Sequence, residues 1–335
     1  MWKGLPPRPF VYEASRRAAP GTFARHRVDV GRSTVAIPEA TSTGMLDFRD
    51  WQTWYRVTGD LGSSTKTPVV VLHGGPGATH NYTLRMARLV EQGWPVIHYD
   101  QLGAGLSTHL PEKGPDFWTV DLFLDELDNL LSRLDIRDDY VVIGQSWGGM
   151  LGAEHAIRQP SGLRSLVIAD SPASMELWVS EANRLRDDLP PEVQKVLLQH
   201  EEAGTTDSDE YAEAEKAFYD RHVCRIVPNP AEVTESFDNI AKDPTVYHTM
   251  NGPSEFHVIG TLRDWTVVDR VSSITAPTLL VSGAHDEATP ATMQPFMDGI
   301  PDVRWEIFAE SSHMPHVEEE DRFLSVVGEF LQSHE

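Results

Sequence analysis

The sequence has one cysteine, Cys224, in 335 residues. No disulfide can close within the chain, and its cysteine usage fits a reducing cytoplasm better than an oxidising compartment. Basic residues are scarce as well: 28 Lys and Arg stand against 51 Asp and Glu, a formal charge of −23. Nucleic acid or an anionic membrane surface would be repelled, so neither is expected as a partner. Much of the acid simply favours solubility. Long apolar runs are missing too. The longest, such as Pro68–Leu72 and Tyr140–Ile143, fall far short of the ~18 residues of a membrane span. The Pro- and Arg-rich stretch from Met1 to about Pro20 lacks the apolar core of a signal peptide. There are no internal repeats or low-complexity tracts. The remaining 40% of hydrophobic residues suffices for one large packed domain with a smaller insertion.

Two early stretches, Arg25–Ile37 and Leu46–Thr58, alternate loosely between apolar and polar and are punctuated by Gly31, Gly44 and Gly59. They predict two opening antiparallel strands. Short β-branched runs follow at Pro68–Leu72, Pro95–Tyr99, Tyr140–Ile143, Leu163–Ile168, Thr278–Ser282 and Val303–Phe308, with the character of parallel strands buried on both faces. Helical periodicity occupies Thr83–Gln92, Val120–Leu134 and Asp321–His334. Strand alternating with helix predicts an α/β fold, a mostly parallel sheet covered on both sides. The alternation stops between about Pro172 and Trp265, where polar helical segments such as Pro191–Ala203 and Ser208–Val223 succeed one another, broken at Pro228–Pro230 and Asp243-Pro244. The expected organisation is a core over residues 1–171, with an N-terminal extension over 1–24, a helical cap over 172–265, and the rest of the core over 266–335.

The run Tyr140–Ile143 leads into Gly144-Gln145-Ser146-Trp147-Gly148-Gly149, and Met150–Arg158 after it is compatible with a helix. G-x-S-x-G between a strand and a helix marks the nucleophile elbow of an α/β-hydrolase fold, a turn so tight that only small residues fit two positions before and after the serine. Outside that context the same pattern is an ordinary glycine-rich turn. Ser146 is therefore the candidate nucleophile. A serine hydroxyl needs a base within hydrogen-bond reach and an acid to orient that base. Asp286 follows the strand Thr278–Ser282 and His313 follows the strand Val303–Phe308, so both stand at strand C-termini, and the order Ser146, Asp286, His313 is the hydrolase order. His285 and His316 compete for the role of base, and Asp170, which also ends a strand, competes for that of acid. The run His73-Gly74-Gly75-Pro76-Gly77 after Pro68–Leu72 supplies an oxyanion hole from the N–H groups of Gly75 and Trp147. A phosphate-binding turn is the alternative, but G-K-[ST] and a helix-opening G-x-G-x-x-G are both missing. This chemistry calls for no metal or organic cofactor.

Together with Tyr99-Asp100-Gln101-Leu102-Gly103-Ala104-Gly105, Gly252-Pro253-Ser254-Glu255-Phe256 and Asp286-Glu287-Ala288-Thr289-Pro290, these motifs resemble the proline iminopeptidase family, which includes tricorn-interacting aminopeptidases and L-amino acid or prolinamide amidases. The likeness spans nearly everything after the first forty or so residues. It implies a serine hydrolase that works through an acyl-enzyme to cleave the amide bond after a free N-terminal amino acid, L-proline or another small L-amino acid, in amides and short peptides; a monomer or small homo-oligomer is expected. It also implies that Glu255 and Glu287 grip the substrate ammonium, with Tyr247 lining the same pocket; two surface carboxylates in an acidic chain are the plainer reading. Trp178, Tyr247 and Phe256 form either a slot for a proline ring or ordinary cap-core aromatics. Leu102 stands where many bacterial relatives carry arginine, which leaves room for amidase rather than strict prolyl-peptide activity. An esterase, lactonase or C–C hydrolase on the same scaffold and a non-catalytic binding protein are the rival readings.

Overall fold

The computed structural model describes residues 36–335, and its centre is one eight-stranded sheet. In chain order the strands are β1 Ser42–Phe48, β2 Trp51–Thr58, β3 Val69–Leu72, β4 Val96–Tyr99, β5 Tyr140–Gln145, β6 Leu163–Ala169, β7 Thr278–Gly283 and β8 Val303–Phe308. They lie side by side as β1-β2-β4-β3-β5-β6-β7-β8. Only β1–β2 and β2–β4 are antiparallel; every other pair is parallel.

The expected single strand Leu46–Thr58 is in fact most of a hairpin. Phe48 pairs with Trp51 across Arg49-Asp50, and Arg49 takes a left-handed φ of 54°. Hairpin turns of two residues need positive φ, and neither residue of this pair is the glycine or asparagine that announces one. All but the last two residues of the strand expected over Arg25–Ile37 lie outside the described residues.

The continuous apolar runs of the parallel strands serve two cores. Val70, Leu72, Ile97, Val142, Leu166, Ile168 and Leu280 face one way, onto helices α1 (Val120–Arg133) and α2 (Trp147–Ile157). Val69, Val71, Val96, Val141, Ile143, Val167, Leu279 and Val281 alternate with them and face the other layer. That layer is a 3-10 helix, His80–Gln92, where an α-helix was expected over Thr83–Gln92, together with the C-terminal helix Glu320–Ser333.

Five helices follow one another between β6 and β7: α3 Met175–Arg186, α4 Pro191–Ala203, α5 Asp209–His222, α6 Ala231–Lys242 and α7 Thr245–Met250. They hold a small core of their own around Leu189, Leu197, Tyr211 and Phe218. After β7 come α8 (Pro290–Gly299) and α9 (Pro315–Glu318), the latter just ahead of the C-terminal helix.

The chain moves from β3 to β4 on one side of β3, then returns to place β5 on its other side. Open α/β sheets bind ligands at such a switch point, beyond the strand C-termini. Here that point joins the loop after Leu72 to the turn after Gln145, because Leu72 pairs with Gly144.

Candidate active site

Ser146 sits between β5 and α2 with φ 58° and ψ −126°, a strained conformation that costs on the order of 1–3 kcal/mol. The glycines around it are steric necessities: a Cβ on Gly144 would lie 2.1 Å from the Gly148 carbonyl oxygen, and one on Gly148 would lie 2.0 Å from that of Leu72. The chain can turn this sharply only without side chains there. The loop His73–Gly77 leans on the serine, since a Cβ on Gly74 would meet the Ser146 Cβ at 2.8 Å. Among the described residues, neither the Gly75 nor the Trp147 amide donates to a protein acceptor.

His313 follows β8, and its Nδ1 lies 2.7 Å from Asp286 Oδ1, with both side chains buried. Burial drives the imidazole down, but Asp286, with smaller help from Glu255 and Glu318, more than offsets it and holds His313 above the ordinary histidine value. Glu318 also pins the loop by accepting from the Ser312 N–H at 2.6 Å. The competing groups are placed elsewhere. His285 is exposed; His316 is buried, donates to the Tyr82 carbonyl at 3.1 Å and is pushed down to about 3 by burial. Asp170 makes no hydrogen bond to His313 among the described residues; burial, with the Asp286 charge adding to it, raises it well above the usual carboxylate range, which favours its neutral form.

Three hydrogen bonds tie these loops into one frame. Tyr82 Oη accepts from the Gly74 N–H at 2.6 Å and donates to Gln145 Oε1, whose amide nitrogen donates to the His313 carbonyl at 2.7 Å. The Gly74 loop, the Ser146 turn and the His313 loop are thus linked through two buried side chains, although Ser146 Oγ itself makes no hydrogen bond to His313 among the described residues. The Tyr99–Gly105 motif braces the same frame. Gln101 donates to the His73 carbonyl at 3.0 Å and accepts from Trp147 Nε1 at 2.8 Å. Leu102 is fully buried in the main core, so this position carries a packing side chain.

The carboxyls expected to hold a substrate amine gather beside His313. Glu287 is fully buried, neither of its oxygens has a hydrogen-bond partner among the described residues, and Oε1 lies 3.7 Å from His313 Nε2. Burial raises it well above the usual range, and Glu255, Asp286 and Glu215 each add to the shift. Glu255 accepts from Tyr247 Oη at 2.7 Å, and burial raises it as well. Trp178 packs edge-on against His313 and donates to the Glu255 carbonyl at 2.6 Å. Phe256 goes elsewhere, into the cap core against Phe218, so of the three aromatics only Trp178 and Tyr247 reach the site. Glu215 is the residue that sequence reasoning missed. It is an α5 glutamate, raised to about 8 by burial, with Oε1 unpartnered. Among the described residues no group of side chains has the makings of a metal site, and no helix is long and apolar enough to cross a membrane.

The alpha/beta hydrolase fold family matches residues 67–320. Proline iminopeptidase of Saccharolobus solfataricus is 37% identical over 277 residues, which are 83% of this chain and 87% of that protein. The Clostridium botulinum enzyme of the same name is 35% identical over 293 residues, 87% and 98% of the two chains. Among solved structures, the proline iminopeptidase of Mycobacterium smegmatis superposes with a TM-score of 0.82 at 52% identity, covering 88% of this chain and 98% of that one. VinJ superposes with a TM-score of 0.88 at 61% identity, covering 89% and 100%. With that much sequence shared along nearly its full described length, this chain is a hydrolytic enzyme of the alpha/beta hydrolase fold and belongs to the proline iminopeptidase family.

Proposed function

We propose that the protein is a serine aminopeptidase or amidase that removes an N-terminal amino acid bearing a free amine from small amides and short peptides. Ser146 Oγ attacks the acyl carbon as His313 Nε2 takes its proton. A C–O bond forms, the C–N bond breaks, and the imidazolium returns the proton to the departing amine or ammonia. The N–H groups of Gly75 and Trp147 hold the oxyanion, each contributing about 3 kcal/mol to the transition state. Water, activated by the same histidine, then frees the amino acid and regenerates the serine. We take residues 172–265 as the cap that supplies Glu255 and Tyr247.

The observation that carries this reading is Glu287, a fully buried carboxyl with no hydrogen-bond partner among the described residues, beside Nε2 of His313. Buried carboxyls without donors are rare, and a substrate ammonium supplies the missing charge-assisted hydrogen bonds. The test is amino acid release from a panel of amino acid amides and dipeptides, run beside p-nitrophenyl acetate and a simple lactone. Turnover of the free-amine amides is expected; turnover confined to the ester and lactone would overturn the proposal.

The two neighbouring aspartates give a sharper internal test. Asp286→Asn would confront His313 Nδ1–H with an amide that can turn its own N–H toward the ring, and kcat on alaninamide is expected to fall by about 10⁴-fold. Asp170→Asn replaces a group whose burial favours its neutral form, and is expected to change kcat less than about threefold. Steady-state kinetics of the two variants check the ranking, and the reverse order would move the role of acid to Asp170.

A further inference from the structure

Glu215 has no part in the mechanism so far. It lies on α5 with Tyr219 four residues and His222 seven residues further on, so the three share one helix face. That face is held against the β7–α8 loop. The His222 carbonyl accepts from the Glu287 N–H at 3.2 Å, and His222 Nδ1 donates to the His285 carbonyl at 2.9 Å. Tyr219 is a neighbour common to Glu215 and Tyr247, and Tyr247 donates to Glu255. Glu215 thus lies on the helix face that meets the loop carrying Glu287. Among the described residues, both oxygens of Glu287 and Oε1 of Glu215 are buried with no hydrogen-bond donor.

The number of carboxyls matters because ammonium groups differ in their number of N–H bonds. A primary ammonium presents three diverging donors, whereas the secondary ammonium of a prolyl residue presents two. The two oxygens of one carboxylate match the parallel N–H bonds of a guanidinium but not the splayed bonds of an ammonium. Two carboxyls thus saturate a prolyl amine, and a third is needed for a primary one. We propose that Glu215 supplies the third acceptor and selects acyl groups with a primary α-ammonium, such as alanyl, over secondary amines such as prolyl. This inference rests on the free-amine reading of the site. At neutral pH Glu215 keeps its own proton, and its carbonyl oxygen remains free to accept without adding a further negative charge.

The test compares kcat/KM for alaninamide, N-methylalaninamide and prolinamide in the wild-type protein, Glu215→Ala and Glu215→Gln. N-methylalaninamide keeps the alanyl side chain and lacks only the third N–H. Glu215→Ala is expected to lower kcat/KM on alaninamide about tenfold, the worth of one buried hydrogen bond, and to leave the two secondary amines within about twofold. Glu215→Gln keeps the carbonyl acceptor and is expected to preserve the wild-type ratio. Equal losses on all three substrates, or a Gln variant that behaves like the Ala variant, would overturn the inference. A wild-type protein that cleaves none of the three would instead refute the free-amine reading itself.

Discussion

Replacing Ser146 by alanine is expected to lower kcat on alaninamide on the order of 10⁶-fold, the loss seen when an acyl-transfer nucleophile is removed whole. The backbone should not notice. Alanine keeps the Cβ that already occupies the turn at φ 58°, and the flanking glycines, which make the turn possible, are untouched. The melting temperature should therefore stay within a few degrees of wild type while turnover disappears. The proposed amine pocket is formed by other residues, so the inactive variant should still bind alaninamide with an affinity near the wild-type KM, measurable by calorimetry. A fluorophosphonate should add its mass to the wild-type chain and leave the variant unmodified. Persistence of activity near wild type, or labelling of the variant, would assign the chemistry to another residue. The result separates a working enzyme from a binding protein on a hydrolase scaffold.

The parts of this site that sequence makes legible are those where steric demand selects residue type. Gly144 and Gly148 leave no room for a side chain, so the turn around Ser146 has a recognisable spelling. The sheet is readable for a similar reason: β3 through β7 are buried on both faces and need continuous apolar runs. Where the same residue type serves two ends, reading fails. Glu215 sits among Asp209, Glu210, Glu213 and Asp220, and in one dimension that stretch is a solvated acidic helix. Its burial arises only when α5 docks on the loop carrying Glu287. Phe256, next to Glu255 in a short motif, points away from it into the cap core, a divergence that depends on which way two adjacent side chains leave the backbone. The hairpin at Arg49-Asp50 escaped because its left-handed residue is an arginine. Asp170 and Asp286 follow adjacent strands and look alike in sequence; only the fold decides that His313 Nδ1 faces Asp286.

Acylating the substrate amine should cost kcat/KM about 10³-fold, alaninamide compared with N-acetylalaninamide. The acetamide carries no positive charge and one N–H in place of three. It would leave the Glu287 oxygens, sealed from water, as unpaired as they are in the free protein, and forfeit at least two charge-assisted hydrogen bonds of about 1.5–3 kcal/mol each. The pH dependence should distinguish this loss from simple steric exclusion. In the empty pocket burial raises Glu287 and Glu255, which favours their protonated forms, and an arriving ammonium favours release of those protons, while Glu215 keeps its own. Proton release on binding means that affinity for the free amine rises with pH. KM for alaninamide should therefore fall as pH increases toward about 8, and rise again once the amine, with an ordinary α-amino value near 8, loses its own proton. The loss of rate on the acid side has a second origin in His313, whose raised value places the protonated, inactive imidazole at higher pH than for a free histidine; that contribution should appear in kcat and not in KM. For N-acetylalaninamide neither carboxyl discharge nor amine titration occurs, and its KM should be flat across the same range. Equal kcat/KM for the two amides would remove the amine role from Glu255 and Glu287, and a flat KM for alaninamide would show that the pocket carboxyls are already ionised before the substrate arrives.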